Sequence, residues 1–91
     1  MLRIAICDDE DKVCSALENF INMACVNIHI ETEIDIFSSG SVLRSHLQHG
    51  SSYNIFFLDI ELKDETGIVV SDFIRNELKI LISTESKKII L

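Results

Sequence analysis

Three aspartates follow the two most continuously apolar runs of the chain. Asp8 and Asp9 come directly after residues 2–7, and Asp59 comes directly after residues 54–58. Runs of this kind suit strands that are buried on both faces, as in parallel sheets. Because neighbouring parallel strands end at the same edge of a sheet, about 4.8 Å apart, the three carboxylates are predicted to converge. A set of ligands made only of oxygens favours Mg²⁺, or Mn²⁺, over Zn²⁺.

Each of these acids, taken alone, has a simpler explanation. An Asp after a strand most often belongs to a turn or caps the following helix, and Asp9 and Glu10 are candidates for such a cap. The joint pattern is more specific, because acids end both buried strands of one β-α-β-α-β alternation. The pattern therefore favours a metal site, with helix capping as the alternative.

The elements that position these acids follow from hydrophobic periodicity. Helical spacing, strict alternation and short apolar runs succeed one another along the chain, with Ser38–Ser41 as N-cap candidates and Gly50 as a helix end. The predicted strands are 2–7, 28–37, 54–58 and 88–91 (or, as an alternative, 80–84), and the predicted helices are 11–27, 42–47 and 68–78.

This alternation predicts an α/β fold, a three-layer α/β/α arrangement with helices on both faces of a parallel sheet. The strand at 28–37 alternates polar and apolar residues, so it is predicted to lie at an edge. The two buried strands are then neighbours, and the strand order begins 2-1-3. Such an order is flavodoxin-like, with 88–91 as strand 4 of an incomplete 2-1-3-4 sheet and a ligand site at the carboxyl ends of strands 1 and 3.

Composition limits the classes of function. The chain has 91 residues, 47% of them apolar, and 8 basic against 15 acidic side chains give a net charge of −7. A single folded domain is expected, and no apolar stretch approaches the roughly 18 residues of a membrane span. The acidic balance argues against nucleic-acid binding by this segment and favours metal cations or a basic partner.

Further residues are assigned to the core or to the surface. The cysteines have no metal-ligand spacing and lie in apolar patterns, so they are predicted to be reduced core thiols of a cytoplasmic protein. The histidines are expected at the surface, and Tyr53 at a wetted edge before the third strand. The residues concerned are Cys7, Cys14 and Cys25; His29, His46 and His49; and, as predicted core aromatics, Phe20, Phe56, Phe57 and Phe73.

Two segments resemble a known family. Residues 6–10 (ICDDE) and 57–62 (FLDIEL), with Gly67 eight residues after Asp59, resemble the receiver domain of bacterial response regulators. The sequences of these two motifs are most similar to those of the accessory-gene-regulator branch, whose members carry a LytTR-type DNA-binding output domain. The resemblance covers about residues 1–79 and implies a magnesium-dependent signalling module of the cytoplasm.

The resemblance implies a role for each acid. Asp59 would be the phospho-acceptor, which takes a phosphoryl group from the phosphohistidine of a sensor histidine kinase. Asp9 and Asp59 would bind Mg²⁺ directly, Asp8 directly or through water, and the backbone carbonyl of Glu61 would be a further ligand. Such a domain catalyses its own phosphorylation and is not a turnover enzyme.

The chain also departs from this family. A full receiver has five β-α units, a Ser or Thr after strand 4 and a Lys after strand 5. Here Thr84 is the hydroxyl candidate if residues 80–84 form strand 4, whereas Lys87 and Lys88 precede an apolar run instead of following one. The expectation is a truncated receiver over residues 1–91 without its output domain. Its open edge at 88–91 is expected to pair, giving a homodimer or a domain-swapped dimer.

Two other functions stay open. The first is a degenerate receiver that only binds partners, favoured by the missing Lys and the uncertain hydroxyl. The second is a Mg²⁺-dependent phosphohydrolase of the haloacid-dehalogenase type, because Asp59-Ile60-Glu61 is close to a D-x-D motif. The Glu at the second acidic position, Lys63 where a Thr is expected, and the location after the third strand all count against this hydrolase.

Overall fold

The fold is a small α/β arrangement with three helices around a sheet whose first three strands are parallel. The computed structural model describes residues 1–59, 62, 66–78, 83–85 and 88–90, of which 75–78, 83–85 and 88–90 are described as backbone. In chain order the elements are β1 Leu2–Cys7, α1 Asp11–Asn27, β2 Thr32–Phe37, α2 Gly40–Gln48, β3 Ile55–Asp59, α3 Gly67–Leu78, β4 Ser83–Glu85 and β5 Lys88–Ile90.

The sheet joins a parallel half to an antiparallel half. Its strand order is β2-β1-β3-β5-β4, in which β1 pairs in parallel with β2 and β3. Strand β5 runs antiparallel to both β3 and β4. The prediction of a parallel fourth strand is therefore wrong for 88–90. Of the alternative strand, residues 83 and 84 are described, and they belong to β4, which does not pair with β3. Only two residues separate β4 from β5, whereas a parallel pair needs a crossover of about a dozen residues or more.

The edges of the sheet follow from this order. Strand β2 is an edge strand, as its alternating pattern predicts, and β4 is the opposite edge. Strand β5 lies between β3 and β4, so residues 88–90 do not form the open edge expected from the sequence. Residues 88–90 therefore offer no free sheet edge through which a dimer could pair.

Helices pack on both faces of the sheet. Alternate residues of β1 point to opposite sides, as the pleat requires. Ile4 and Ile6 pack with the buried side chains of α1, whereas Ala5 and Cys7 belong to the cluster that contains residues of α2 and α3. The apolar residues of that second cluster include Leu43, Phe56, Leu58, Val70 and Ile74, all at or near 0% exposure. The predicted three-layer arrangement is thus observed in this part of the chain.

Helix α1 ends in a motif that the sequence did not reveal. His29 has φ 57°, its N–H donates to the carbonyl of Val26, and the N–H of Ile30 donates to the carbonyl of Cys25. This is the Schellman pattern, which usually has Gly at the left-handed position. Residues 28–31 therefore close the helix, and β2 begins at Thr32 instead of the predicted residue 28.

Helix α2 is capped at both ends by residues that the sequence singles out. The Ser39 hydroxyl accepts a hydrogen bond from the N–H of Val42, so Ser39 is the N-cap. At the other end Gly50 has φ 99°, and its N–H donates to the carbonyl of Leu47. The caps fix the helix at Gly40–Gln48, slightly longer than predicted.

The burial of the aromatic residues differs from the sequence prediction at two positions. Phe56 is fully buried, and Phe57 and Phe73 pack against the core, but Phe20 is 71% exposed. The seam that α1 buries consists of Cys14, Ile21 and Cys25, which displaces Phe20 to the outer side. Tyr53 is also buried, at 6% exposure, with Phe37 and Phe56 against its ring.

A polar cluster surrounds Tyr53 at the start of the sheet. The Tyr53 hydroxyl donates to Asp35 Oδ2 over 2.6 Å, and the guanidinium of Arg3 lies 5.0 Å from the centre of the tyrosine ring. Arg3 also forms ion pairs with Glu33 at 3.4 Å and with Asp35 at 3.7 Å. Burial, together with the hydrogen bond to Asp35, raises the pKa of Tyr53 to about 12. The cluster thus joins β1, β2 and the residues before β3.

Three further predictions concern the burial of the cysteines, the exposure of the histidines and the absence of a membrane span. The three cysteines are buried and take part in no disulfide bond, and the three histidines are exposed, as predicted. None of the helices in the described ranges combines the length and the apolar character that crossing a bilayer requires.

Candidate metal centre

The strand register places two aspartates at one edge of the sheet. Cys7 of β1 is paired with Leu58 of β3 in a parallel ladder, and in each strand the next residue is an acid. Asp59 is the last residue of β3, and Asp8 follows the end of β1. The continuously apolar sequence of both strands buries them in the middle of the sheet, so their carboxyl ends are forced to be neighbours.

Three carboxylates meet there. Asp8, Asp9 and Asp59 each offer one oxygen, and these oxygens all lie within 4.8 Å of one another. Asp8 is only 3% exposed and Asp59 only 6%, while Asp9 is partly exposed. Like charges held so close repel one another, and a cation between them relieves that repulsion. The convergence predicted from the two apolar runs is therefore observed.

Hydrogen bonds to neighbouring elements hold Asp8 in place. Its N–H donates to the carbonyl of Phe37 at the end of β2, over 3.0 Å. Its own carbonyl accepts a hydrogen bond from the Cys14 thiol of α1 over 3.4 Å. Its side-chain Oδ1 accepts from the N–H of Glu10, over 3.0 Å. Asp8 is thus fixed by β2, α1 and the turn between β1 and α1.

The capping alternative explains only part of this arrangement. Glu10 occupies the N-cap position of α1, but its side chain makes no capping hydrogen bond. Asp8 does stabilise the turn, through the N–H of Glu10. A turn function for Asp8 gives no reason for Asp59, which comes from another strand, to lie in the same cluster. The joint geometry therefore goes beyond a local cap.

Two described residues between β3 and α3, Leu62 and Thr66, have defined surroundings. Leu62 is buried in the core beside α3. Thr66 caps α3, since its hydroxyl accepts a hydrogen bond from the N–H of Val69 over 3.3 Å. Glu61, whose backbone carbonyl is a predicted ligand, lies outside the described residues.

The antiparallel pairing adds a residue that the sequence reasoning missed. Lys88, the first residue of β5, is paired with Asp59, and on its other side with Glu85 of β4. The backbone of a lysine therefore lies next to that of Asp59. This lysine comes from an antiparallel strand and not from the end of a fifth parallel strand. The two residues between β4 and β5 are Ser86 and Lys87, which do not form one of the dipeptides typical of a tight hairpin, so the chain carries no local sequence signal of this placement.

The hydroxyl candidate lies farther away. Thr84 is in β4, paired with Ile89, and β5 separates its strand from β3. Two steps of about 4.8 Å across a sheet separate such backbones. The structure therefore does not bring Thr84 beside Asp59.

The chemistry of the site is that of hard oxygen ligands. Among the described side chains, one group of three or more His, Cys, Asp or Glu residues has ligand spacing, and it consists of these three aspartates. The exposed histidines do not belong to it. Comparison of the chain with models of protein families, with curated proteins and with solved structures finds no match.

Proposed function

We propose that the chain is the phospho-accepting receiver module of a two-component response regulator, with Asp59 as acceptor and Mg²⁺ as cofactor. The cluster of Asp8, Asp9 and Asp59 is the single observation that carries this proposal. The resemblance of residues 6–10 and 57–62 to receiver motifs supports it. A sensor histidine kinase would be the phosphoryl donor, and a LytTR-type domain would be the output.

The donor set fits a magnesium ion. Mg²⁺ binds oxygens at about 2.0–2.1 Å, so two ligands of one ion lie about 3–4 Å apart. Oxygens within 4.8 Å of one another reach that spacing by small side-chain rotations. Mg²⁺ also keeps waters and phosphate oxygens in its shell, so three carboxylates leave room for a phosphoryl group.

Two of the aspartates would bind the cation, and the third would attack the phosphorus atom of the donor. Asp8 and Asp9 would hold the cation. A carboxylate oxygen of Asp59 would form a bond to phosphorus while the P–N bond to the donor histidine breaks, and the electron pair stays on the imidazole nitrogen. A bound Mg²⁺ supplies charge stabilisation to the phosphoryl oxygens.

The parallel half of the sheet suits this function. In doubly wound folds, ligands bind beyond the carboxyl ends of the strands, at the point where the strand order reverses. Strands β2, β1 and β3 reproduce such a reversal, and the acids lie at the carboxyl ends of β1 and β3. We therefore assign the fold to the flavodoxin-like type as part of the proposal.

The test is the formation of an acyl phosphate on Asp59. The chain is incubated with acetyl phosphate and Mg²⁺, and its intact mass is measured. The expected result is a shift by one phosphoryl group that is lost in Asp59→Asn and kept in Asp72→Asn, which removes an exposed carboxylate of α3. Absence of the shift, with Mg²⁺ binding demonstrated by calorimetry, would contradict phosphorylation.

A second candidate is a module that binds partners without phosphorylation. The antiparallel β5 favours it, because this strand takes the place beside β3 where a receiver has its next parallel strand. Metal binding without an adduct is the result expected of this candidate. Continuous release of phosphate from small esters would instead indicate the hydrolase alternative.

A further inference from the structure

Helix α1 carries two apolar stripes, and the sheet uses only one of them. The buried seam consists of Cys14, Ile21 and Cys25. A second stripe runs through Val13, Ala16, Phe20 and Met23, where Phe20 is 71% and Met23 69% exposed. Successive residues of an α-helix are about 100° apart, so the stripe of Phe20 lies well to the side of the seam of Ile21.

The spacing of the second stripe is that of a helix–helix contact. Its residues are separated by three, four and three positions, which is the a/d repeat of a two-helix seam. Large exposed apolar residues are informative only when they form a patch, and these residues do. Helix α1 therefore presents a ready contact face for a second helix.

Charge along α1 favours another copy of the same chain. The helical residues that flank the stripe include no acid; they are Lys12, Asn19 and Val26 on one side and Leu17 and Ala24 on the other. Glu18 lies about 160° around the helix from Phe20 and so stays clear of the contact. An isologous contact sets residue i of one copy against residue j of the other, and j against i, so a stripe without acids avoids local repulsion between two chains of charge −7.

An antiparallel pairing gives the best match of sizes and of charge. Setting Phe20 of one copy against Ala16 of the other places a large residue opposite a small one, and Met23 then faces Val13. Lys12 comes beside the last turn of the other helix, which has no basic residue of its own to offset the negative end of the helix dipole.

The area is sufficient for a reversible dimer. The stripe with its neighbour Val26 exposes roughly 400 Å² of apolar surface, taking about 150–250 Å² for a whole aromatic side chain as the scale. A standard interface buries about 800 Å² per partner, and somewhat more than half of it is apolar. We propose that the Val13–Ala16–Phe20–Met23 stripe of α1 is a homodimer interface in which two copies pair antiparallel about a two-fold axis.

Sedimentation equilibrium of the whole chain at micromolar concentration tests the interface. We expect a monomer–dimer equilibrium whose dissociation constant rises at least tenfold in Ala16→Glu and is little changed in Ser15→Glu, a matched control that adds the same charge one residue away. Both positions are exposed, so circular dichroism should show unchanged helix content. Phe20→Ser provides a second variant without added charge, and it should weaken the dimer as well.

A crosslinking experiment tests the orientation. When chains with Ala16→Cys and chains with Phe20→Cys are mixed and oxidised, the mixed disulfide dimer should form in preference to either homodimer. A wild-type chain that is monomeric at tens of micromolar, or a dimer that Ala16→Glu and Phe20→Ser leave intact, would overturn the proposal. Preferential crosslinking of Ala16→Cys to itself would overturn the antiparallel arrangement.

Discussion

Asp59 and Lys88 hold paired positions of β3 and β5, at the edge of the sheet where the acidic cluster lies. Because β5 is antiparallel, its first residue meets the last residue of β3. Cβ atoms at directly opposed positions of an antiparallel pair are about 4.5–5.5 Å apart. The backbone of a lysine thus adjoins that of Asp59, and this lysine begins an antiparallel strand instead of following a fifth parallel one.

Replacement of Lys88 by Gln should strengthen the binding of Mg²⁺. A positive side chain competes with the metal ion for carboxylates, and a unit charge about 4 Å away in water accounts for about 1 kcal/mol, or roughly a fivefold change in affinity. Isothermal titration calorimetry at fixed ionic strength measures the effect. Lys87→Gln removes the same charge from the preceding residue and serves as the control. Equal affinities of wild type and Lys88→Gln would show that the paired position has no electrostatic effect on the site.

Replacement of Asp9 by Asn should weaken the binding of Mg²⁺ by about tenfold or more, because one of three carboxylates loses its charge and its preference for the metal. Asp11→Asn is the matched control, since Asp11 lies in the first turn of α1 and does not belong to the cluster. Titration with Mn²⁺, followed by its effect on water proton relaxation, reports the affinity of both variants. A similar loss in both would assign the effect to the overall charge of the protein and not to the site.

The central strands and the acids could be predicted because both follow from one physical constraint. A strand buried on both faces must be almost continuously apolar, and the first acid after such a run marks where the strand ends. Apart from Arg3 and Asn54, residues 2–7 and 54–58 satisfy this constraint, so the convergence of Asp8 and Asp59 could be derived without a template. The N-cap at Ser39 and the helix end at Gly50 were predictable for a similar reason, because their side chains, or the lack of one, determine local backbone geometry.

The features that the sequence did not show depend on tertiary context. The apolar run at 88–91 has no periodicity that distinguishes parallel from antiparallel pairing. The pairing of Lys88 with Asp59 could therefore not be predicted from the sequence. The alternation of residues 28–31 imitates a strand, but the hydrogen bonds of the Schellman motif at His29 use these residues to end the helix. The prediction that Phe20 is a core residue is wrong because α1 has two apolar stripes, and only packing determines which of them faces the sheet.

Replacement of Tyr53 by Phe should lower the free energy of unfolding by about 1–2 kcal/mol at neutral pH. The change removes a hydrogen bond of 2.6 Å to the Asp35 carboxylate while leaving the ring in its place between Phe37 and Phe56. Urea denaturation followed by circular dichroism measures the difference. Ser52→Ala, at an exposed neighbouring position, is expected to have little effect.

The contribution of Tyr53 should also depend on pH in the alkaline range. Its pKa rises from 10.0 to about 12 in the folded chain, mainly through burial and then through the bond to Asp35. The folded state therefore favours the protonated phenol. The stability gained from it is fully present below pH 10 and is lost as the pH rises towards 12. The chain has one tyrosine and no tryptophan, so an ultraviolet titration reports this group alone. Titration near pH 10 in the folded protein would contradict the assigned environment.

Replacement of His29 by Gly should stabilise the protein by about 0.5–1 kcal/mol. His29 has φ 57°, a conformation that costs a residue with a Cβ about 1 kcal/mol and that Gly adopts freely. The N–H groups of residues 29 and 30 already close the helix, so the capping hydrogen bonds remain. His46→Gly provides the contrast, because within α2 the substitution lowers the helix propensity and removes the ring contact with Phe37, and it should destabilise by about 1 kcal/mol or more. A denaturation midpoint that falls in both variants would show that the left-handed residue at the end of α1 is not strained.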